Sequence, residues 1–242
     1  MKKKAKARAK DSEWYDAHYY NESHPNRLQW YDMLLRELKK SIHTSDTILE
    51  VGCGESPALQ ILVEEKYIPA EQVFGIDQSA RAIEHIKQFI PEGNFQQGDL
   101  YELPYKNEMF DKVCMMEVIE HVEDPTSALS ELFRVTKKDG FLFLSFPNFS
   151  VFPWSVARWF ADILHTPRLI NKQPIDNIYT INQVVEMAQK AGFAYVSTTG
   201  VTYLTALLTP LESLGDYLIT RTLNSLGLSA RALHPLLRFK KL

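Results

Sequence analysis

At 242 residues, with 45% hydrophobic and 24% charged side chains, the chain suits one large α/β domain of ordinary globular composition. A formal net charge of −3 argues against DNA and disfavours RNA as a partner, since no basic stripe runs through the body of the sequence. Two cysteines, Cys53 and Cys114, are too few and too deep in predicted strands for a disulfide framework, so a cytoplasmic, reducing setting is the default expectation.

The first ten residues hold six Lys/Arg and no acid and read as a disordered basic tail. The tail runs into Asp11-Ser12-Glu13 and not into an apolar core, so no signal peptide is expected. Residues 11–45 read as cap helices: an aromatic cluster at Trp14–Tyr20, then Leu28, Tyr31, Leu34, Leu35 and Leu38 at helical spacing. From Thr47 strands and helices alternate. Strands are predicted over Thr47–Val51, Val73–Ile76, Asn94–Gln97, Phe110–Met116 and Gly140–Phe146. Helices are predicted over Ser56–Lys66, from a Ser79 cap to Phe89, and over Pro125–Val135. Near-continuous apolar strands between helices predict a parallel sheet covered on both faces, in a core spanning 46–200.

Residues 147–179, with Phe149, Phe152, Trp154, Trp159 and Phe160, read as a lid or insertion over the strand ends. The longest uncharged stretch, Phe141–Ala157, is broken by Pro147 and Pro153 and is too short to span a membrane. A helix follows over Ile181–Lys190, stopped by Gly192, then a strand over Ala194–Thr199. Residues 201–242 read as an amphipathic segment packed on the core, with peripheral membrane contact as the lesser alternative and a last strand near Leu236–Lys240. Oligomeric state is left open.

Three sites fall where such a sheet binds ligands, beyond the strands' C-terminal ends. The first is Glu50-Val51-Gly52-Cys53-Gly54, an apolar strand breaking into a Gly-x-Gly turn that lets backbone approach a ligand closely. The second and third are Asp77-Gln78 and Asp99-Leu100. Turn capping is the alternative role for each aspartate alone. After them comes Glu117-Val118-Ile119-Glu120-His121, whose two acids and histidine lie at i, i+3 and i+4 and would share one face of a helix.

In this order the segments resemble the class I S-adenosylmethionine-dependent methyltransferases, over roughly Ile48–Gly200, and within them the ubiquinone-biosynthesis O-methyltransferase-like branch. The resemblance implies a Rossmann-like three-layer α/β sandwich with a seven-stranded, mostly parallel sheet whose last strand is antiparallel. It implies S-adenosylmethionine as cofactor, with Asp77 and Gln78 at the ribose, Asp99 and Leu100 at the adenine, and Glu50, Gly52, Cys53 and Gly54 at the methionine part. Met116 and Glu117 then lie beside the methionine and ribose, and Arg27 reaches the cofactor carboxylate. No third glycine comes at the dinucleotide-binding spacing, Glu55 and Ser56 following Gly54 instead, which disfavours a nicotinamide dehydrogenase.

The same likeness implies a divalent metal such as Mg²⁺ on Glu117, Glu120 and His121. The alternative, preferred here, is His121 as a metal-free general base. Small-RNA 2′-O-methyltransferases share this block but supply a further downstream histidine, and Pro174–Thr180 has none. The remaining histidines, His18, His43, His85, His165 and His234, read as surface or packing residues. The expectation is methyl transfer to a small apolar or aromatic acceptor, O-methylation favoured. RNA 2′-O-methylation and a non-catalytic cofactor-binding subunit are the alternatives.

Overall fold

The computed structural model describes residues 16, 34–152, 155–156, 159, 174–202, 222–229 and 232–242. The basic tail, Arg27, most of the Trp14–Tyr20 cluster, most of the aromatic lid and much of the 201–242 segment lie outside them.

Seven strands make one sheet in the order β3-β2-β1-β4-β5-β7-β6. They are β1 (Ile48–Val51), β2 (Val73–Asp77), β3 (Asn94–Gln97), β4 (Phe110–Met116), β5 (Thr136–Ser145), β6 (Phe193–Thr202) and β7 (His234–Lys241). Pairings among β1 to β5 are parallel, while β7 runs antiparallel to both β5 and β6. Four helices are named: α1 (Pro57–Glu64), α2 (Ala80–Phe89), α3 (Pro125–Val135) and α4 (Ile181–Lys190). The seven-stranded, mostly parallel α/β expectation is met, and β7 completes the sheet from beyond residue 200.

Burial on both faces explains why β1 is apolar throughout. All four of its residues are buried. One face carries Ile48, Leu59, Ile86, Cys114 and Phe143, with Leu34, Leu35 and Leu38 from a helix over 34–39. The other carries Leu49, Val113, Leu132, Leu144 and Phe239. Each fully buried Ile, Leu or Phe stabilises the fold by about 1.5–3 kcal/mol.

Helix starts follow side-chain chemistry. Ser56 caps α1 ahead of Pro57, Ser79 caps α2, and Asp124 caps α3 ahead of Pro125. Thr180 and Gln183 close a capping box at α4.

The departures from expectation are local. Strand β5 starts at Thr136 and not Gly140: its pairing with β4 is irregular between Phe110–Thr136 and Lys112–Phe141, and within that stretch Asp139 has φ 63°. Ser56 caps α1 from outside it, so the helix is shorter than the apolar pattern. Residues 117–121 do not make the helical face anticipated for Glu117, Glu120 and His121. Glu117 has φ 55° and only Ile119–His121 forms a single 3₁₀ turn, so the i, i+3, i+4 relation lapses.

Candidate active site

At the end of β1 the chain turns back over β2. The N–H groups of Gly52 and Cys53 both donate to the Ile76 carbonyl, at 2.8 and 3.1 Å. Gly52 (φ 70°) and Gly54 (φ 50°) adopt the left-handed conformation that glycine takes at little cost. A Cβ on Gly52 would sit 2.4 Å from Val118 Cγ2, whereas one on Gly54 would meet nothing within 4 Å. Gly54 therefore presents bare backbone to open space.

Asp77 closes β2 and is tied to this turn. Its Oδ2 accepts from Gly54 N–H at 2.9 Å and its Oδ1 from Ser79 N–H at 2.8 Å. A carboxylate has about four lone-pair sites, so capacity remains for vicinal hydroxyls. Burial raises the Asp77 pKa, the two amides oppose it, and the Asp16 charge adds to it. Asp16 reaches this corner from the N-terminal segment: its Oδ1 accepts from Ser79 Oγ at 2.6 Å and from Arg81 N–H at 3.3 Å.

Beyond β3, Asp99 Oδ1 accepts from Tyr101 N–H at 2.9 Å, so this aspartate does cap its turn, and Leu100 packs half-buried against the core. Gln78 lends its carbonyl to the Gln97 amide at 2.9 Å. Met116 ends β4, buried and paired with Ser145.

Glu50 and Cys53 are buried, 4% exposed each. The Glu50 Oε2 accepts from the Ser56 hydroxyl, and burial raises its pKa from the ordinary 4.5 to about 7. Burial also drives the Cys53 thiol up, with Asp77 and Glu50 adding to it, so it stays protonated.

The 117–121 turn brings acids and histidines together at the ends of β4 and β5. Ser145 Oγ donates to Glu117 Oε1 at 2.7 Å, and His234 Nε2 lies 3.6 Å from Glu117 Oε2. Burial raises the Glu117 pKa and lowers that of His234 to about 4, so both shifts favour the neutral forms. Glu120 is 2% exposed, with Oε2 unpartnered and Oε1 3.5 Å from His121 Nε2. Its pKa is driven up by burial, then by Glu117 and Asp176. His121 Nδ1 lies 2.7 Å from the Ile175 carbonyl. A carbonyl only accepts, so Nδ1 carries the proton and Nε2 keeps its lone pair in the neutral ring. Burial lowers the His121 pKa and favours that neutral form, against Ile175 and Asp176.

These positions do not fit a divalent ion. Among the described residues no three His, Cys, Asp or Glu side chains converge as ligands. The Oε1 of Glu117 is engaged by Ser145. The S-adenosylmethionine positions fit better: bare backbone at Gly54, locked to the carboxylate that follows β2.

His234, expected to be a surface or packing residue, packs half-buried beside Glu117, a neighbour the sequence did not predict. The available signal was its place at the start of an antiparallel strand, which lies at the same sheet edge as the ends of β4 and β5. Sequence reasoning missed Ser56, Ser145 and the Ile175 carbonyl, which act through contacts that spacing does not encode.

Residues 49–144 match the sequence family described as "Methyltransferase domain". A protein of Mycolicibacterium smegmatis named a probable S-adenosylmethionine-dependent methyltransferase is 29% identical over 64% of this chain and 54% of its own length. The ubiquinone biosynthesis O-methyltransferase of Thiobacillus denitrificans is 28% identical over 76% of this chain and 77% of that protein. The chain spans 37–54% of the length of the first curated relatives it matches. Among solved structures, a Haloferax volcanii protein in complex with the Trm112 methyltransferase activator superposes with a TM-score of 0.65 at 18% identity, covering 93% of this chain and 95% of that one. Residues 49–144 thus carry a match to a methyltransferase domain, and they lie in a sheet whose fold is shared with the solved neighbour.

Proposed function

We propose that the protein binds S-adenosylmethionine across Gly52–Gly54, Asp77 and Asp99 and directs its methyl group to a hydroxyl of a small apolar or aromatic acceptor. The observation that carries this reading is the bond from Gly54 N–H to Asp77 Oδ2, 2.9 Å, which couples the open glycine turn to the acid after β2. Bound there, the cofactor supplies a methyl already activated on a sulfonium, so alignment and exclusion of water are the protein's main task. Asp77 accepts from the ribose hydroxyls and Asp99 from the adenine amine. His121 Nε2, its tautomer set by Ile175, takes the acceptor proton. The O-methyltransferase relative supports an oxygen acceptor. Two buried free thiols, Cys53 and Cys114, support a reducing, cytoplasmic setting.

Calorimetric titration with S-adenosylmethionine, its demethylated product and NAD tests the reading. The wild type is expected to bind the two sulfur compounds and not NAD, and Asp77→Ala to lose at least about tenfold, the loss expected for a charged hydrogen-bonding partner. Acceptor turnover is expected to be unchanged by EDTA. A second reading rests on the activator-bound neighbour: a chain that turns over only with a protein partner. Tight cofactor binding without turnover of any acceptor would favour it.

A further inference from the structure

We propose that Glu50 is a positioning residue: it holds the cofactor turn from behind, through Ser56, and does not touch the cofactor. The inference rests on the functional reading above. Within five residues the chain takes positive φ three times, at Gly52 (70°), Gly54 (50°) and Ser56 (40°). Glycine accepts such angles; serine, with a Cβ, does not do so unaided.

Ser56 is held there from two sides. Its Oγ donates to Glu50 Oε2 and accepts from Leu59 N–H at 3.2 Å, the capping bond of α1. Both residues are buried, Ser56 at 1% and Glu50 at 4% exposure. Glu50 lines a small cavity together with Ile48, Leu59, Leu62, Cys114 and Met116. Its backbone sits in the sheet, in register with Gly75 and Cys114, so the side chain has a rigid base. The carboxyl thus fixes Ser56, Ser56 fixes the start of α1, and between β1 and α1 the Gly52–Gly54 backbone has one path.

The test separates bracing from contact by removing the need for the brace. Glycine at position 56 enters the left-handed conformation freely. Glu50→Ala is expected to weaken cofactor binding and raise its KM about tenfold with kcat held, while Glu50→Gln, which keeps an acceptor oxygen, stays within about threefold of wild type. In the Ser56→Gly background, Glu50→Ala is expected to cost less than about twofold, the non-additivity of a coupled pair. Glu50→Met, which fills the volume without an acceptor, replaces Glu50→Ala if the latter melts early. An undiminished Glu50 penalty in Ser56→Gly would mean direct contact and overturn the proposal, as would a Glu50→Ala variant that binds like wild type. Failure of the wild type itself to bind would overturn the functional reading, and this inference with it.

Discussion

The two glycines of the β1 turn share a backbone conformation and differ in what surrounds them. Alanine at Gly52 meets Val118 at 2.4 Å as well as the left-handed penalty; alanine at Gly54 meets only the penalty. Gly52→Ala is therefore expected to destabilise by about 2–5 kcal/mol and Gly54→Ala by about 1–2 kcal/mol, read from urea unfolding. Gly54→Ala should nonetheless be the more informative variant for function: a nearly intact fold with impaired cofactor binding. His121 makes a different prediction. Burial lowers its pKa below the usual 6.5, so the basic form persists into mildly acid solution. With the base active when neutral, the acid limb of kcat against pH is expected below 6.5, and His121→Asn should cost about 10²–10⁴-fold in kcat. A flat profile, or full activity in His121→Asn, would remove His121 from the proton-transfer role.

Elements bring these residues together through their ends. Strands β1, β2 and β4 stop at the same edge of the sheet and hand over to Gly52, Asp77 and Glu117, while β7 enters that edge from the other direction with His234. The parallel half was legible because its strands are apolar runs ended by turn residues, and because Ser79 and Asp124-Pro125 are local helix starts. Contacts between distant segments were not legible. The Ile175 carbonyl on His121 spans 54 residues, and the Asp16 bond to Ser79 spans 63; neither leaves a periodic trace. The shape of the 117–121 turn was misjudged for the same reason, since the Glu117 amide is claimed by Ser145 and the Glu120 carbonyl by Asn177. At α4 the capping box gives a simple check on local reasoning: Thr180→Ala should cost about 1 kcal/mol, seen as a lower Tm, without changing cofactor affinity.

For the molecule as a whole, buried ionisable groups set how stability responds to pH. Glu50 titrates near 7 in the fold against an ordinary 4.5. Between those values the native state keeps a proton the unfolded chain has released, so Glu50 destabilises the fold progressively as pH rises from about 4.5 to 7. His234 and His121 oppose this on the acid side, because the unfolded chain takes up protons that the native rings refuse. Glu50→Gln isolates the first effect: stability measured from pH 5 to 7.5 should fall less steeply than in the wild type. Equal slopes would mean that Glu50 is already ionised in the fold.

The order of strands in the sheet differs from their order along the chain, and that carries a consequence for biosynthesis. Strand β7 pairs with β5 on one side and β6 on the other, and β6 has no other strand partner among the described residues. As the chain leaves the ribosome, β6 ends at Thr202 and must wait until His234 and the rest of β7 are made before its hydrogen bonds exist. Until then the exposed edges of β5 and β6 are open to wrong partners. The nascent protein thus carries the Gly52–Gly54 turn well before His234, which comes to lie beside Glu117, has been made.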